Sequence, residues 1–282
     1  MEQPLLLPDD TASARSLLDQ LVADSLLYRC GEEYKKLLTF VIRLRNFAPF
    51  NAMLLQVQKP GLMYAASAFD WHTRFQRRPK PDARPLLILW PFAPVALVYD
   101  VQDTTGNPLP DGVNVFSATG VMTSSRIAEF AHLLNKRSIL VHWFDGGDGN
   151  AGYITSIKSP IAPDFVGQYR LGLNRNHTHA VTFATIAHEM AHLCLGHLGK
   201  DNKLKIPARR LLTLKERELE AESVAYIVCN RNGVTPNSER YLSAYLKNES
   251  DAQNMDTYQI MRAAGQVEAL LALTASTSFD HL

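Results

Sequence analysis

The run TIAHEMAHLCLGH at residues 185–197 constrains this chain more than any other stretch. It contains no proline, and its filler residues Ile186, Ala187, Met190, Ala191 and Leu193 are uncharged and helix-compatible, so the run reads as a buried helix. On such a helix, residues four apart stand one above the other on a single face. His188 and His192 therefore aim both imidazoles at one point, with Glu189 beside them. A solvent-facing helix would carry Lys and Glu at the filler positions.

An HExxH pattern is short enough to arise by chance, so its surroundings decide what it means. Two histidines aimed at one point suit Zn2+, and a catalytic zinc usually takes three protein ligands and leaves one position open. A third ligand is therefore expected further along. The segment KERELEAESVAYIVC at 215–229 supplies Glu218, Glu220 and Glu222. Glu218, Glu222 and Ala225 share one helical stripe, while Leu219, Val224, Ile227 and Val228 form the apolar side. Glu218 is thus the expected ligand. Glu222, one turn later, is placed to accept a hydrogen bond from the far nitrogen of a ligand histidine. Glu220 points elsewhere and is expected to be solvated.

The competing reading is a core helix with satisfied histidines beside a charged helix face. Two histidines with an interposed glutamate and a spaced glutamate pair favour the metal. Glu189 is then the expected general base. His197 follows Gly196, where the helix should end; contact with a substrate oxyanion and a place at the negative end of the helix dipole are both open to it. Tyr226 is a further oxyanion candidate. His177 and His179 read as loop residues. DGGDGN at 145–150 lacks the full calcium-loop pattern, and Cys194 and Cys229 read as small buried side chains.

The chain has 282 residues, 46% of them hydrophobic, and a formal net charge of +1, so no global charge draws it to nucleic acid or to a membrane. Its three cysteines, Cys30, Cys194 and Cys229, form no CxxC pair, which points to a reducing cytoplasm. The first residues lack the basic and apolar regions of a secretory signal. No run approaches the roughly 18 to 20 apolar residues of a membrane span, so no membrane partner is expected.

Apolar spacing predicts helices across residues 11–47, broken before Pro49, then a short helical piece NAMLLQVQ and strands in PLLILWPF and VALVYDVQ. DTTGNPLPDG at 103–112 reads as a linker, which puts a domain boundary near residue 115. Beyond it come a serine-capped helix from 124, three short strands (ILVHWF, AGYITSI, YRLGLNR), and helices near 179–197, 212–230, 237–247 and 254–273. The fold class is α+β: an N-terminal helix-plus-sheet module (1–115), then a zincin-like unit (116–282) with a small antiparallel sheet and a helical half carrying HExxH.

Between residues 34 and 90 there are ten Lys or Arg against two acids, a local excess of +8. Arg43, Arg45, Trp71, Arg74, Arg77, Arg78 and Lys80 are the candidates for nucleic-acid contact. Cations would sit on phosphates, and Trp71, Phe75 or Tyr64 would stack on bases. A solvated basic face over core aromatics is the alternative.

HEMAHLCLGH followed by ELEAESVAY resembles the HExxH and downstream ExxA signature of the ImmA/IrrE-type zinc metallo-endopeptidases, over residues 120 to 275. That resemblance implies zinc on His188, His192 and Glu218, Glu189 as general base, and a protein substrate such as a repressor or other regulator. Glu222 and Val224 stand where many members of that family have Asn and Phe, a departure similar to the ArdC-type antirestriction proteins. APFNAMLLQVQKPG, AFDWHTRFQRRPKPDARPLLILWPF and VYDVQDT are likewise similar, in order and character, to the ArdC-type domain that binds single-stranded DNA. The resemblances imply a zinc peptidase with a DNA-binding N-terminal unit, or a non-enzymatic antirestriction-like protein in which zinc organises the fold.

Overall fold

A computed structural model describes residues 31–44, 47–90, 93–109, 122–146, 150–158, 166–236 and 255–273. The first half runs α1 (Gly31–Arg43), α2 (Pro49–Gln58), β1 (Ala65–Ala66), α3 (Ala68–Phe75), β2 (Arg77–Pro79), β3 (Leu86–Trp90), β4 (Ala93–Asp100) and β5 (Thr104–Gly106). The second half runs α4 (Ser124–Lys136), β6 (Ile139–Phe144), β7 (Gly152–Lys158), β8 (Val166–Asn174), α5 (His179–Cys194), α6 (Leu214–Arg231) and α7 (Thr257–Leu270). The sequence-predicted helices before Gly31 and at 237–247 lie outside the described residues, as does the boundary near 115.

The helices form where apolar spacing and end signals coincide. α1 buries Tyr34, Leu37, Leu38 and Val41 and leaves Lys35 and Lys36 in water. α2 opens with Pro49 in its first turn, where the missing N–H removes no helical bond. Two of its side-chain amides then serve β3: Asn51 exchanges a pair of hydrogen bonds with the Leu89 backbone, and Gln58 does the same with Leu87. A helix thereby occupies backbone groups that a neighbouring strand would otherwise take.

β1, β4 and β3 form an antiparallel sheet in that order. One feature here adds to the elements expected from sequence and one corrects them. Ala68–Phe75 is a helix, capped by Ser67, whose hydroxyl accepts from the Asp70 backbone. Thr104–Gly106, expected within a linker, is strand β5, paired with β2. Arg77 locks that pair, because its guanidinium donates to the Thr104 side chain and carbonyl and to the carbonyls of Gly106 and Asn107.

The sheet of the second half is mixed, which corrects the antiparallel expectation. β7 and β8 pair antiparallel, while β6 runs parallel to β8 on its other side. β6 leaves α4 in the same direction as β8, so it fills the edge of β8 that β7 leaves free. That places β7 at the margin of the sheet, alongside α5. Gly152 permits the approach, since a Cβ there would meet Thr185 Cγ2 at 2.6 Å.

One apolar cluster includes described residues from both halves. Tyr34, Leu37 and Met53 from the N-terminal helices belong to the same buried cluster as Ile186, Val224 and Ile260. A buried arginine joins the halves. Arg231 donates to the carbonyls of Val41 and Phe47 at 2.7 and 2.8 Å and to Glu268 at 2.7 Å. Breaking such a buried pair typically costs about 3–5 kcal/mol.

Candidate metal centre

α5 carries the centre, and its two ends show why it is a helix of this length. Thr178 caps the start, its hydroxyl accepting from the Val181 backbone. At the other end Gly196 takes φ +80°, and the His197 and Gly196 N–H groups donate back to the His192 and Leu193 carbonyls. This is the left-handed termination that favours glycine. A Cβ at 196 would also meet the Pro207 carbonyl at 2.6 Å. The reversal folds His197 back beneath the last turn. The carbonyls of Cys194 and Leu195 accept from Arg262 and Arg209, so arginines satisfy the negative end of the helix.

α6 lies against α5 and begins with a capping box, in which Thr213 and Glu216 satisfy each other's backbone N–H groups. The Thr213 backbone and hydroxyl hold the Glu216 carboxyl below its ordinary range. The packing brings Glu218 over the two histidines. His188 Nε2 and His192 Nε2 are 3.2 Å apart, and the Glu218 carboxylate oxygens lie 3.4 Å from His188 Nε2 and 3.6 Å from His192 Nε2. Zinc bonds of about 2.0–2.1 Å in a tetrahedron would separate two ligand atoms by about 3.3 Å. The three separations match that spacing, and His188, His192 and Glu218 form a cluster geometrically able to hold a metal ion.

The far side of each ring supports the same fit. His188 Nδ1 faces Glu222 at 3.4 Å, and His192 Nδ1 lies 2.9 Å from His197 Nδ1. A neutral ring that donates from Nδ1 on that side turns its Nε2 lone pair toward the shared point.

Electrostatics follow from this crowding. Burial disfavours a charged His188, but the neighbouring Glu218, Glu222 and Glu189 carboxylates outweigh it, and its pKa rises. The adjacent His188 and His192 imidazoles hold Glu218 well below the usual carboxylate range. Glu189 moves the other way. Burial pushes its carboxyl up despite the opposing charges of His188 and His192 and a hydrogen bond from the Ile154 backbone on β7. A carboxyl in that setting takes up a proton more readily than a solvated one.

Glu220 corrects the sequence reading. It is 1% exposed rather than solvated, and it accepts from Arg209 at 2.8 and 3.0 Å and from His197 Nε2 at 3.1 Å. The His197 side chain is only 2% exposed, which takes it out of reach of a substrate oxyanion. Burial also lowers the His197 pKa, with Glu220 opposing. Nothing local in the sequence marks Arg209, which comes from the loop after α5. Tyr226 packs against the main core.

His177 and His179 stand apart from the cluster. With His132, Trp143 and Arg175 they line a groove of about 430 Å³ between α4, β6 and the start of α5. Asp145 of the DGGDGN loop pairs with Arg175 at 3.4 Å. Cys194 and Cys229 are buried free thiols, and burial pushes the Cys194 pKa up to about 12.

The nucleic-acid candidates divide. Trp71 is a core residue, a correction to its expected stacking role. It is 0% exposed, and its indole N–H donates to the Tyr99 carbonyl. Tyr64 packs edge-on against it and is buried as well. Arg43 donates to the Leu62 carbonyl and Arg77 clamps β5, so both guanidinia are engaged with backbone. Arg74, Arg78 and Lys80 are exposed, with His72 3.4 Å from Arg78. Arg45 lies outside the described residues. Phe69, 75% exposed on α3, is the aromatic that does face solvent. Its exposure depends on α3, which the mix of aromatic and basic residues does not reveal.

Fold and cluster together define an α+β protein with a His-His-Glu arrangement able to hold a metal ion. No family model and no curated protein matches the chain. Among solved structures it has a weak similarity to the metal-free crystal structure of the antirestriction ArdC protein from the R388 plasmid. The identity is 14% and the TM-score 0.38, over 79% of this chain and 84% of that one. Among the described residues, no helix is long and apolar enough to cross a membrane.

Proposed function

We propose that this protein is a zinc-dependent endopeptidase. One observation carries the proposal: three ligand atoms converge at zinc spacing while a further carboxylate, Glu189, is held beside them and contributes nothing to the triad. A closed structural site fills its fourth position with another Cys or His and has no use for a base. Bound zinc would supply Lewis-acid activation of a water and of a scissile carbonyl.

The chain's own residues do the rest. Glu189, its proton affinity raised by burial, accepts the proton of the attacking water and passes it to the leaving amine. Glu222 orients the His188 ring. β7 pairs only with β8 among the described strands, and its Ile154 backbone touches Glu189. An extended peptide pairing with the outer edge of β7 would therefore run past the base. The substrate in this proposal is a regulatory protein such as a repressor.

A second reading has its own observation. Arg74, Arg78 and Lys80, with Phe69 and His72, form an exposed cationic ledge on α3, β2 and the residue after β2. In that reading the protein is a non-enzymatic, antirestriction-like binder of single-stranded DNA, and zinc organises the second half of the chain.

Glu189→Gln separates the two. The peptidase predicts full zinc content and no cleavage of candidate partner proteins; unchanged turnover would remove Glu189 from its role. The second reading predicts that Glu189→Gln changes nothing. It also predicts that Arg74→Ala with Arg78→Ala weakens oligonucleotide binding and reduces its salt slope by about two.

A further inference from the structure

We infer that His197 is a positioning residue for the metal ligand His192, at the head of a buried relay, His192–His197–Glu220–Arg209, that selects which nitrogen of His192 faces the cluster. The inference rests on the metal-centre reading and adds residues that neither HExxH nor the glutamate triplet assigns.

The direction of the relay follows from donors and acceptors. Glu220 is a carboxylate gripped by the Arg209 guanidinium at 2.8 and 3.0 Å, so it only accepts. His197 Nε2, 3.1 Å away, must then be the donor, which leaves its Nδ1 an acceptor when the ring is neutral. His192 Nδ1, 2.9 Å from that atom, must donate to it. The proton of His192 is thereby assigned to Nδ1, and its Nε2 lone pair points at His188 Nε2 and Glu218. Each link forces the next, and the reverse order would set the His197 Nε2 lone pair against the Glu220 carboxylate.

Burial argues that the relay has a purpose beyond filling space. The Arg209 and Glu220 side chains are 9% and 1% exposed. Apolar residues of like volume fill such a position at no desolvation cost, so the ion pair brings little net stability. Its effect is to hold one carboxylate in one place. The backbone is committed to the same end. Gly196 makes the reversal that brings His197 under His192, and Arg209 also donates to the Leu195 carbonyl beside that reversal. Imidazole in water favours the Nε2–H form, in which His192 could not ligate through Nε2. The relay removes that competition before the metal arrives.

The test reads tautomers and Zn2+ affinity in the full-length protein. Long-range 1H–15N spectra of metal-free wild type should place the His192 proton on Nδ1 and the His197 proton on Nε2. His197→Leu, which cannot accept, should lower Zn2+ affinity about ten- to hundredfold in a chelator competition. His197→Gln, whose amide both accepts and donates, should restore it to within a few-fold of wild type. A His192 proton on Nε2 in metal-free wild type, or equal Zn2+ affinity in His197→Leu and wild type, overturns the relay. If His197→Leu does not fold, the wild-type spectra decide. If wild type binds no Zn2+, the metal-centre reading falls, and the tautomers of the metal-free protein still report on the relay.

Discussion

Replacing Glu218 by Gln keeps the side-chain volume and removes the anionic ligand from the cluster. In wild type, zinc at about 100 times its dissociation constant should stabilise the fold by about 2.7 kcal/mol. For a chain of this size that is a rise in Tm of about 5–10 °C. Changes outside the ligand set weaken metal binding about 10- to 100-fold, and losing a ligand that sits 3.4 and 3.6 Å from the two imidazole nitrogens should cost at least the upper figure. At the same free zinc the variant would then be about half saturated and gain about 0.4 kcal/mol, or about 1 °C.

The quantity to compare is the zinc-dependent increment, measured by differential scanning calorimetry with and without buffered zinc at pH 7. The metal-free baseline moves for a separate reason. The histidines depress the Glu218 pKa, so its carboxylate stabilises the metal-free fold above the ordinary carboxylate value, and that contribution fades as pH falls through the depressed one. A full increment in Glu218→Gln would refute the assignment of Glu218 as a ligand.

Three further outcomes follow from the same geometry. Glu189→Gln should leave the metal-free Tm at pH 7 unchanged or slightly higher. A carboxylate whose pKa is raised by burial lowers folded-state stability above that pKa, and a neutral isostere removes the penalty; a clear drop in Tm would contradict this. Arg209→Met strands the buried Glu220 carboxylate and should destabilise the protein by about 3–5 kcal/mol in urea titration, whereas a loss under 1 kcal/mol would show that Glu220 finds other partners. In a Cys30→Ser background, native protein at pH 8 should react negligibly with a thiol reagent. The Cys194 thiol is fully buried with its pKa near 12, and Cys229 is raised further, so fast labelling would mean the α5–α6 packing opens.

Much of the centre could be read along the chain because it depends on helical periodicity. His188 and His192 are four apart, as are Glu218 and Glu222, and a 3.6-residue repeat puts each pair on one face whatever the rest of the fold does. The same repeat located α5, α6 and α7 to within a few residues of the helices in the structure. Strand pairing was less accessible. Whether β6 meets β8 in parallel, and whether Thr104–Gly106 is linker or strand, depends on partners 25 or more residues away. Trp71 shows how composition misleads. Aromatic and basic residues interleave in DWHTRFQRR, yet the cap at Ser67 starts a helix whose buried side takes Trp71 while Arg74 and Arg78 face water.

The sequence by itself determined the pairing of His188 with His192 and of Glu218 with Glu222, the place of Glu189 between the histidines, and the helices that carry them, because those relations are local and follow from helix geometry. Only the tertiary structure decided the distances among His188, His192 and Glu218, the burial of Glu220, and the joining of His197 and Arg209 into one chain of hydrogen bonds. Those depend on how α6 and the loop after α5 pack against α5. Side-chain direction at a helix end is set by such packing and by one left-handed glycine, which a periodic pattern does not encode.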